Sequence, residues 1–291
     1  MLLRTFGDWT AAAEEFGEME KSHLRLSIRL VLVCSAFVAL DVSAARAADL
    51  ASGPTPDFAG ETAPTPSGWT FTVAPYLFAA GISGDVAQFG APTVHVNADF
   101  SDLFDHLKFG GMLATEARNG PFGIATDFIY VDVGENVTGP GPFGVTVGLT
   151  EKVFTGTALP EYRILQSSVG SLDAMAGVRV WNVTGDLKFS GGPFGGRTFN
   201  EDQTWVDGMA GVKGRVNLAP GLYLTDWGMI GAGGARVDWD LLGAVGLDVT
   251  KSFSLLAGYR AIGVDYSHDG FVFNAVEQGP GFGRGSSVLT A

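Results

Sequence analysis

The sequence predicts an all-β chain: an antiparallel transmembrane β-barrel of about ten strands, preceded by a signal peptide and a disordered linker. Three observations carry this. From Gly68 onward, polar and apolar residues alternate with a period of two over stretches of roughly ten residues, and the charges keep to one parity. Glycine is abundant (42 of 291 residues) while charged residues make up only 17%, a composition outside the disordered class. The connections between alternating stretches are short on one side and mostly long on the other.

The N-terminal region comes first. Lys21, His23, Arg25 and Arg29 precede an apolar run from Leu30 to Leu40, and Ala45-Arg46-Ala47 reads as a small-residue cleavage site. Residues 1–47 are therefore expected to be a secretory signal with an N-terminal extension, the acidic residues Glu14, Glu15 and Glu18 favouring a start at Met19. Cys34, the only cysteine, lies inside this segment, so no disulfide framework is available to the exported chain. Residues 48–67, rich in Pro, Thr and Gly and without periodicity, read as a linker. No later stretch offers the about 18 consecutive apolar residues of a membrane-spanning helix.

The barrel is expected over 68–284, with strands near 69–82, 107–118, 122–134, 150–164, 171–187, 204–217, 222–233, 237–248, 253–264 and 271–284, and residues 285–291 as an atypical tail. A short helical turn is expected at Asp99 to Leu107, with Ser101 as its N-cap. Short turns such as "RNGPFG" and "DVTKSF" mark the periplasmic side, and the longer connections mark the outside.

Parity decides which face meets which solvent. In 122–134, Phe122, Ile124, Phe128 and Tyr130 share one face and Asp127 sits on the other. In 171–187, Asp173 and Arg179 oppose Leu172, Ala174, Val178 and Val180. In 237–248, Asp240 and Asp248 oppose Trp239, Leu241, Val245 and Leu247. A soluble sandwich or lipocalin-like barrel would turn the apolar face inward; an export signal and aromatic residues near strand ends point instead to lipid outside and a polar lumen inside. The inward set then comprises Lys108, Glu116, Arg118, Asp127, Glu161, Arg163, Asp173, Arg179, Asp207, Lys213, Arg215, Asp226 and Arg260. Trp69, Phe122, Tyr162, Tyr223 and Phe253 would form one interfacial girdle, Trp205 and Trp239 the opposite one.

The stretches "WTFTVAPYLFAAGISGDV", "DFSDLFDHLKFGGMLATEAR", "GIATDFIYVDVG", "WVDGMAGVKGRVNL" and "LLAGYRAIGVDYSHDGFVF" resemble a family of Gram-negative outer-membrane β-barrel proteins, mostly uncharacterised and related to the small-porin superfamily. The resemblance spans Gly68 to about Pro280 and brings no catalytic motif. It implies an outer-membrane location, contact with outer-membrane lipids and lipopolysaccharide, and insertion by the barrel-assembly machinery. Such barrels end in an aromatic residue, whereas here Phe282 is the last aromatic and "GPGFGRGSSVLTA" departs from the pattern.

Function follows from the lumen. About eight strands fill with side chains and about sixteen leave a wide channel, so ten favour a narrow, charge-filled interior. Each buried charge needs a partner. Strand order and depth predict Asp173–Arg163 and Arg179–Asp207 contacts. The expected role is structural or at the cell surface; a small-solute pore is the alternative, and a barrel enzyme a more remote one. Neither a cofactor nor a metal is expected, because His95, His106 and His268 match no ligand spacing and no nucleophile sits beside them. The net charge of −13 leaves no basic stripe for nucleic acid. The acidic outer loops, with Asp85, Asp99, Asp102, Asp105, Glu135, Glu201, Asp202, Asp265 and Asp269, read as a solvated rim.

Overall fold

The tight turns set the register of the sheet. Gly120 (φ 60°) and Gly221 (φ 79°) take the left-handed backbone that two-residue reversals require and that side chains disfavour. The computed structural model describes residues 68–138, 145–191 and 195–290; the signal segment 1–47, the linker 48–67 and Ala291 lie outside the described residues. In chain order the elements are β1 (Trp69–Phe78), β2 (Gly81–Ala87), β3 (Val94–Ala98), α1 (Phe100–Asp105), β4 (Leu107–Asn119), β5 (Phe122–Thr138), β6 (Thr146–Gln166), β7 (Gly170–Ser190), β8 (Thr198–Ala219), β9 (Leu222–Gly233), β10 (Val237–Thr250), β11 (Phe253–His268) and β12 (Phe271–Thr290).

Ten of these strands form a closed antiparallel ring: β1 pairs with β4, each later strand with the next, and β12 returns to β1. Beyond Ala79, β2 takes over from β1 along the first part of β12, and β3 hairpins onto β2. The helix forms where expected, but Asp99 is its N-cap, not Ser101: Asp99 and Asp102 make a reciprocal capping box, and Ser101 lies two residues on, inside the first turn.

Two expectations need correction. The long outer connections are largely strand: β6, β7 and β8 run 21, 21 and 22 residues, about twice what crossing the hydrocarbon takes. Their outer ends therefore stand clear of the membrane, still paired to one another. Residues 285–290 are not a tail. They belong to β12 and pair with β1 from Val73↔Ser286 to Trp69↔Thr290. Glycine and serine are poor strand formers alone; ring closure supplies the hydrogen-bonding partners that local propensity does not show.

The faces follow parity. Val178, Val206, Val212, Ile230, Leu241 and Leu255 point outward and are exposed, Val178 at 47%, whereas its neighbour Arg179 is 0% exposed. An apolar outer belt around a polar interior inverts the soluble arrangement and suits lipid as the outer solvent.

Candidate functional site

The lumen is layered along the barrel axis. Its outer layer is apolar. Trp181, Trp205, Tyr266 and Phe273 converge from β7, β8, β11 and β12, the indoles stacked at 5.8 Å and Trp205 on Tyr266 at 3.9 Å. The β2–β3 turn leans over this layer. There the Gln88 amide donates to Glu151 Oε1 at 2.8 Å, and the Phe89 amide N–H donates to Glu201.

Below the aromatics lies a belt of buried charge. The Arg179 guanidinium donates to Asp238 Oδ1 (2.7 Å), Asp240 Oδ2 (2.5 Å) and Thr157 Oγ1 (2.9 Å). Arg260 donates to Asp240 Oδ2 (2.7 Å), Asp127 Oδ2 (2.6 Å) and the Tyr76 hydroxyl oxygen (2.6 Å). Tyr76 in turn donates to Asp127 Oδ1 at 2.7 Å, and the indoles of Trp181 and Trp227 donate to Asp238 and Asp240. The belt thus joins β1, β5, β6, β7, β9, β10 and β11 across the lumen. With so many donors, the ionised carboxylates are solvated by protein instead of water.

A second ionic cluster lies nearer the short-turn end. Lys213 Nζ reaches Glu116 Oε2 (2.7 Å) and Glu161 Oε2 (2.6 Å). Arg118 donates to Glu116 Oε1 (2.8 Å) and to Glu161, and lies 3.2 Å from Asp173. Arg163 holds Asp173 by two parallel bonds of 2.9 Å, a bidentate fork. Gly123 makes room for this: a Cβ there would stand 2.6 Å from the Glu161 carboxylate. Beside the cluster a cavity of about 610 Å³ opens toward the short turns, lined by Tyr76, Trp227, Met229, Leu256, Gly283 and Arg215, among others.

Most of the expected lumen residues meet in these two networks, with Arg163 and Asp173 in contact. Others sit elsewhere. Arg179 and Asp207 are opposite in register, yet the guanidinium turns across the lumen to β10, and Asp207 Oδ1 accepts from the Ala235 amide at 2.8 Å. Lys108 falls at a bulge between Leu107 and Phe109 that turns it to the outer surface, where Nζ bonds Thr150 Oγ1 at 2.7 Å. Asp226 is exposed, on the parity of Leu224 and Ile230, with its carboxylate over Gly214. Arg215 pairs with Asp248 at 2.9 Å at the mouth and lies 3.5 Å over the Tyr223 ring.

Of the girdle, Trp69, Phe122, Tyr162, Phe253 and Trp239 lie on the outward parity, with Phe122 and Tyr162 edge to face at 5.2 Å. Trp205 and Tyr223 do not: they are 4% and 5% exposed and face inward. Trp205 fills the lumen by stacking between Trp181 and Tyr266, and the Tyr223 ring lies under the Arg215 guanidinium. Sequence reasoning also passed over Tyr76, Asp238 and Trp181; Asp238 shares the parity of Asp240, which was the available signal. The three histidines among the described residues each pair with a carboxylate on separate outer elements: His95 with Asp85 (2.8 Å), His106 with Glu135 (3.6 Å) and His268 with Asp269 (3.4 Å). Among the described residues no group of three or more His, Cys, Asp or Glu is placed to hold a metal.

No protein-family model and no curated protein matches the chain. Solved structures do. The outer membrane protease OmpT from Escherichia coli superimposes with a TM-score of 0.50 at 11% identity, covering 77% of this chain and 98% of its own. The translocator domain of the autotransporter NalP from Neisseria meningitidis aligns at 0.39 and 12% identity, covering 76% and 88%. Ail, the attachment invasion locus protein of Yersinia pestis, aligns at 0.33 and 14%, covering 76% and 99%. At such identities the likeness is one of fold: this chain has the fold of bacterial outer-membrane β-barrels.

Proposed function

We propose that the chain is an outer-membrane barrel of the small porin-like superfamily, delivered by a cleaved signal peptide, whose lumen is sealed and whose role is structural or at the cell surface. The observation that carries this reading is the pair of filled layers: the aromatic stack and, beneath it, the Arg179–Asp240–Arg260–Asp127 belt, which spans the ring from wall to wall. A solute would have to break several buried charge-assisted hydrogen bonds to pass. Its partners in this reading are outer-membrane lipids, lipopolysaccharide and the assembly machinery, and it performs no catalysis. Liposomes carrying the refolded barrel should swell no faster than empty ones in arabinose or glycine; swelling at porin-like rates would favour the second reading. That second reading, a small-solute pore, draws on the hollow short-turn half of the lumen.

A further inference from the structure

The hollow half of the lumen has a wall barer than the backbone requires. On β12 the inward positions Gly281, Gly283, Gly285 and Ser287 line the cavity with almost no side chain. At Gly258, across from Gly281, glycine is compulsory, because a Cβ would stand 2.4 Å from the Gly243 carbonyl oxygen. Gly281 and Gly285 are different. A Cβ would meet nothing nearer than 3.5 Å at the first and 3.9 Å at the second, which is ordinary contact, and neither has a left-handed backbone. Both positions could carry a side chain, and leaving them bare keeps about 610 Å³ open. That volume lies inside the range of about 300–1,000 Å³ typical of small-molecule sites.

We propose that this cavity binds a single-chain amphiphile with an acidic head, its apolar body along the glycine wall and its head at the short-turn mouth. Three features select that class. Beside the glycine wall stands Tyr76, and Leu159, Met175, Trp227 and Met229 line the cavity from β6, β7 and β9, an aromatic and thioether surface that suits a flexible hydrocarbon. The deep charges balance one for one, Glu116, Glu161 and Asp173 against Arg118, Arg163 and Lys213, so the interior calls for no counter-ion and the buried part of a ligand should be uncharged. At the mouth the Arg215 side chain is 41% exposed although it pairs with Asp248, which leaves a guanidinium edge for a carboxylate or phosphate. The inference needs the cavity alone: a conducting barrel would overturn the sealed-lumen reading and leave the following titration unaffected.

The experiment uses the refolded chain in phosphatidylcholine vesicles, titrated with dibrominated stearic acid while tryptophan fluorescence is followed. Bromine in the bilayer quenches the outward Trp69 and Trp239; Trp227 faces the lumen and is quenched only by an occupied cavity. The difference between wild type and Trp227→Phe isolates that component. It should saturate in the wild type, weaken about tenfold or vanish in Gly281→Leu and in Gly285→Leu, and lose its preference for the acid over dibrominated octadecanol in Arg215→Gln. Circular dichroism and heat-dependent gel mobility establish that each variant is folded; should neither leucine variant fold, the wild-type difference signal decides alone. A Trp227 component that does not saturate, or that persists undiminished in a folded leucine variant, overturns the proposal.

Discussion

The outer and short-turn halves of the lumen are built by the same strands with the same alternation, yet one is solid and the other hollow. In the outer half the inward residues are Trp181, Trp205, Tyr266 and Phe273, whose rings meet in the middle. In the short-turn half the inward residues of β12, β11, β10 and β1 include Gly283, Gly258, Ala244 and Ala74, which leave the centre empty. Strand number fixes the width of the tube, and ten strands lie between the filled and the open cases. Within that width, residue size decides whether the lumen is plugged. A lumen of one width is therefore filled at one depth and open at another.

The largest expected effect breaks the belt at its centre. Asp240 accepts from Arg179, Arg260 and Trp227, so Asp240→Ala removes three buried hydrogen bonds at once, leaving Arg179 on Asp238 and Arg260 on Asp127, and should cost about 3–5 kcal/mol in urea unfolding from vesicles. Asp248→Asn at the hydrated mouth removes a half-exposed pair and should cost at most about 1 kcal/mol. Similar costs at both sites would mean that the belt is as wet as the mouth.

Next comes the outer face. Val178→Arg places a charge toward lipid and should destabilise the barrel by about 2–4 kcal/mol near the midplane. Ala125→Ser, inward and beside the cavity, should cost less than about 1 kcal/mol. Gly177, the inward neighbour that parity alone would suggest as the control, is unsuitable because a Cβ there would stand 2.1 Å from the Ala158 carbonyl oxygen. Equal losses from Val178→Arg and Ala125→Ser would contradict the face assignment.

These contrasts also show what the sequence made legible. Period-two charge patterning gives the strand faces where a strand holds two or more charges and keeps its register, as with Asp173 and Arg179; on β4 the bulge beside Phe109 turns Lys108 out of the pattern that Glu116 and Arg118 follow. It fails on β9, where a single charge, Asp226, gives no pattern to follow; Trp227 holds the lumen position instead, because its indole has a buried carboxylate to bind. Contacts between adjacent strands at a short turn could be read from depth, as for Arg163 and Asp173. Contacts across the lumen could not, since they depend on how far a long side chain reaches: Arg179 ignores the facing Asp207 for two carboxylates on β10. Trp205 and Tyr223 carry the residue type of a girdle and the parity of a lumen, and parity prevailed.

The smallest expected effect lies on the outer loop. His106 Nδ1 donates to the Asp102 carbonyl oxygen at 2.7 Å, and this bond, helped by nearby Glu135, holds the imidazole pKa above its ordinary value. A raised folded-state pKa means that the stabilisation is full below the unfolded-state value and is lost as pH rises through the folded one. Glu135→Gln should lower the His106 titration midpoint seen by NMR; an unmoved midpoint would show that Glu135 takes no part in the shift.

Single-channel recording of the refolded barrel in planar bilayers tests the sealed lumen most directly. With the aromatic layer and the belt intact, insertion should add no discrete conductance, and the Asp240→Ala barrel should be the first to show brief openings. Steady open steps of uniform size from the wild-type protein would contradict a lumen closed by its own side chains.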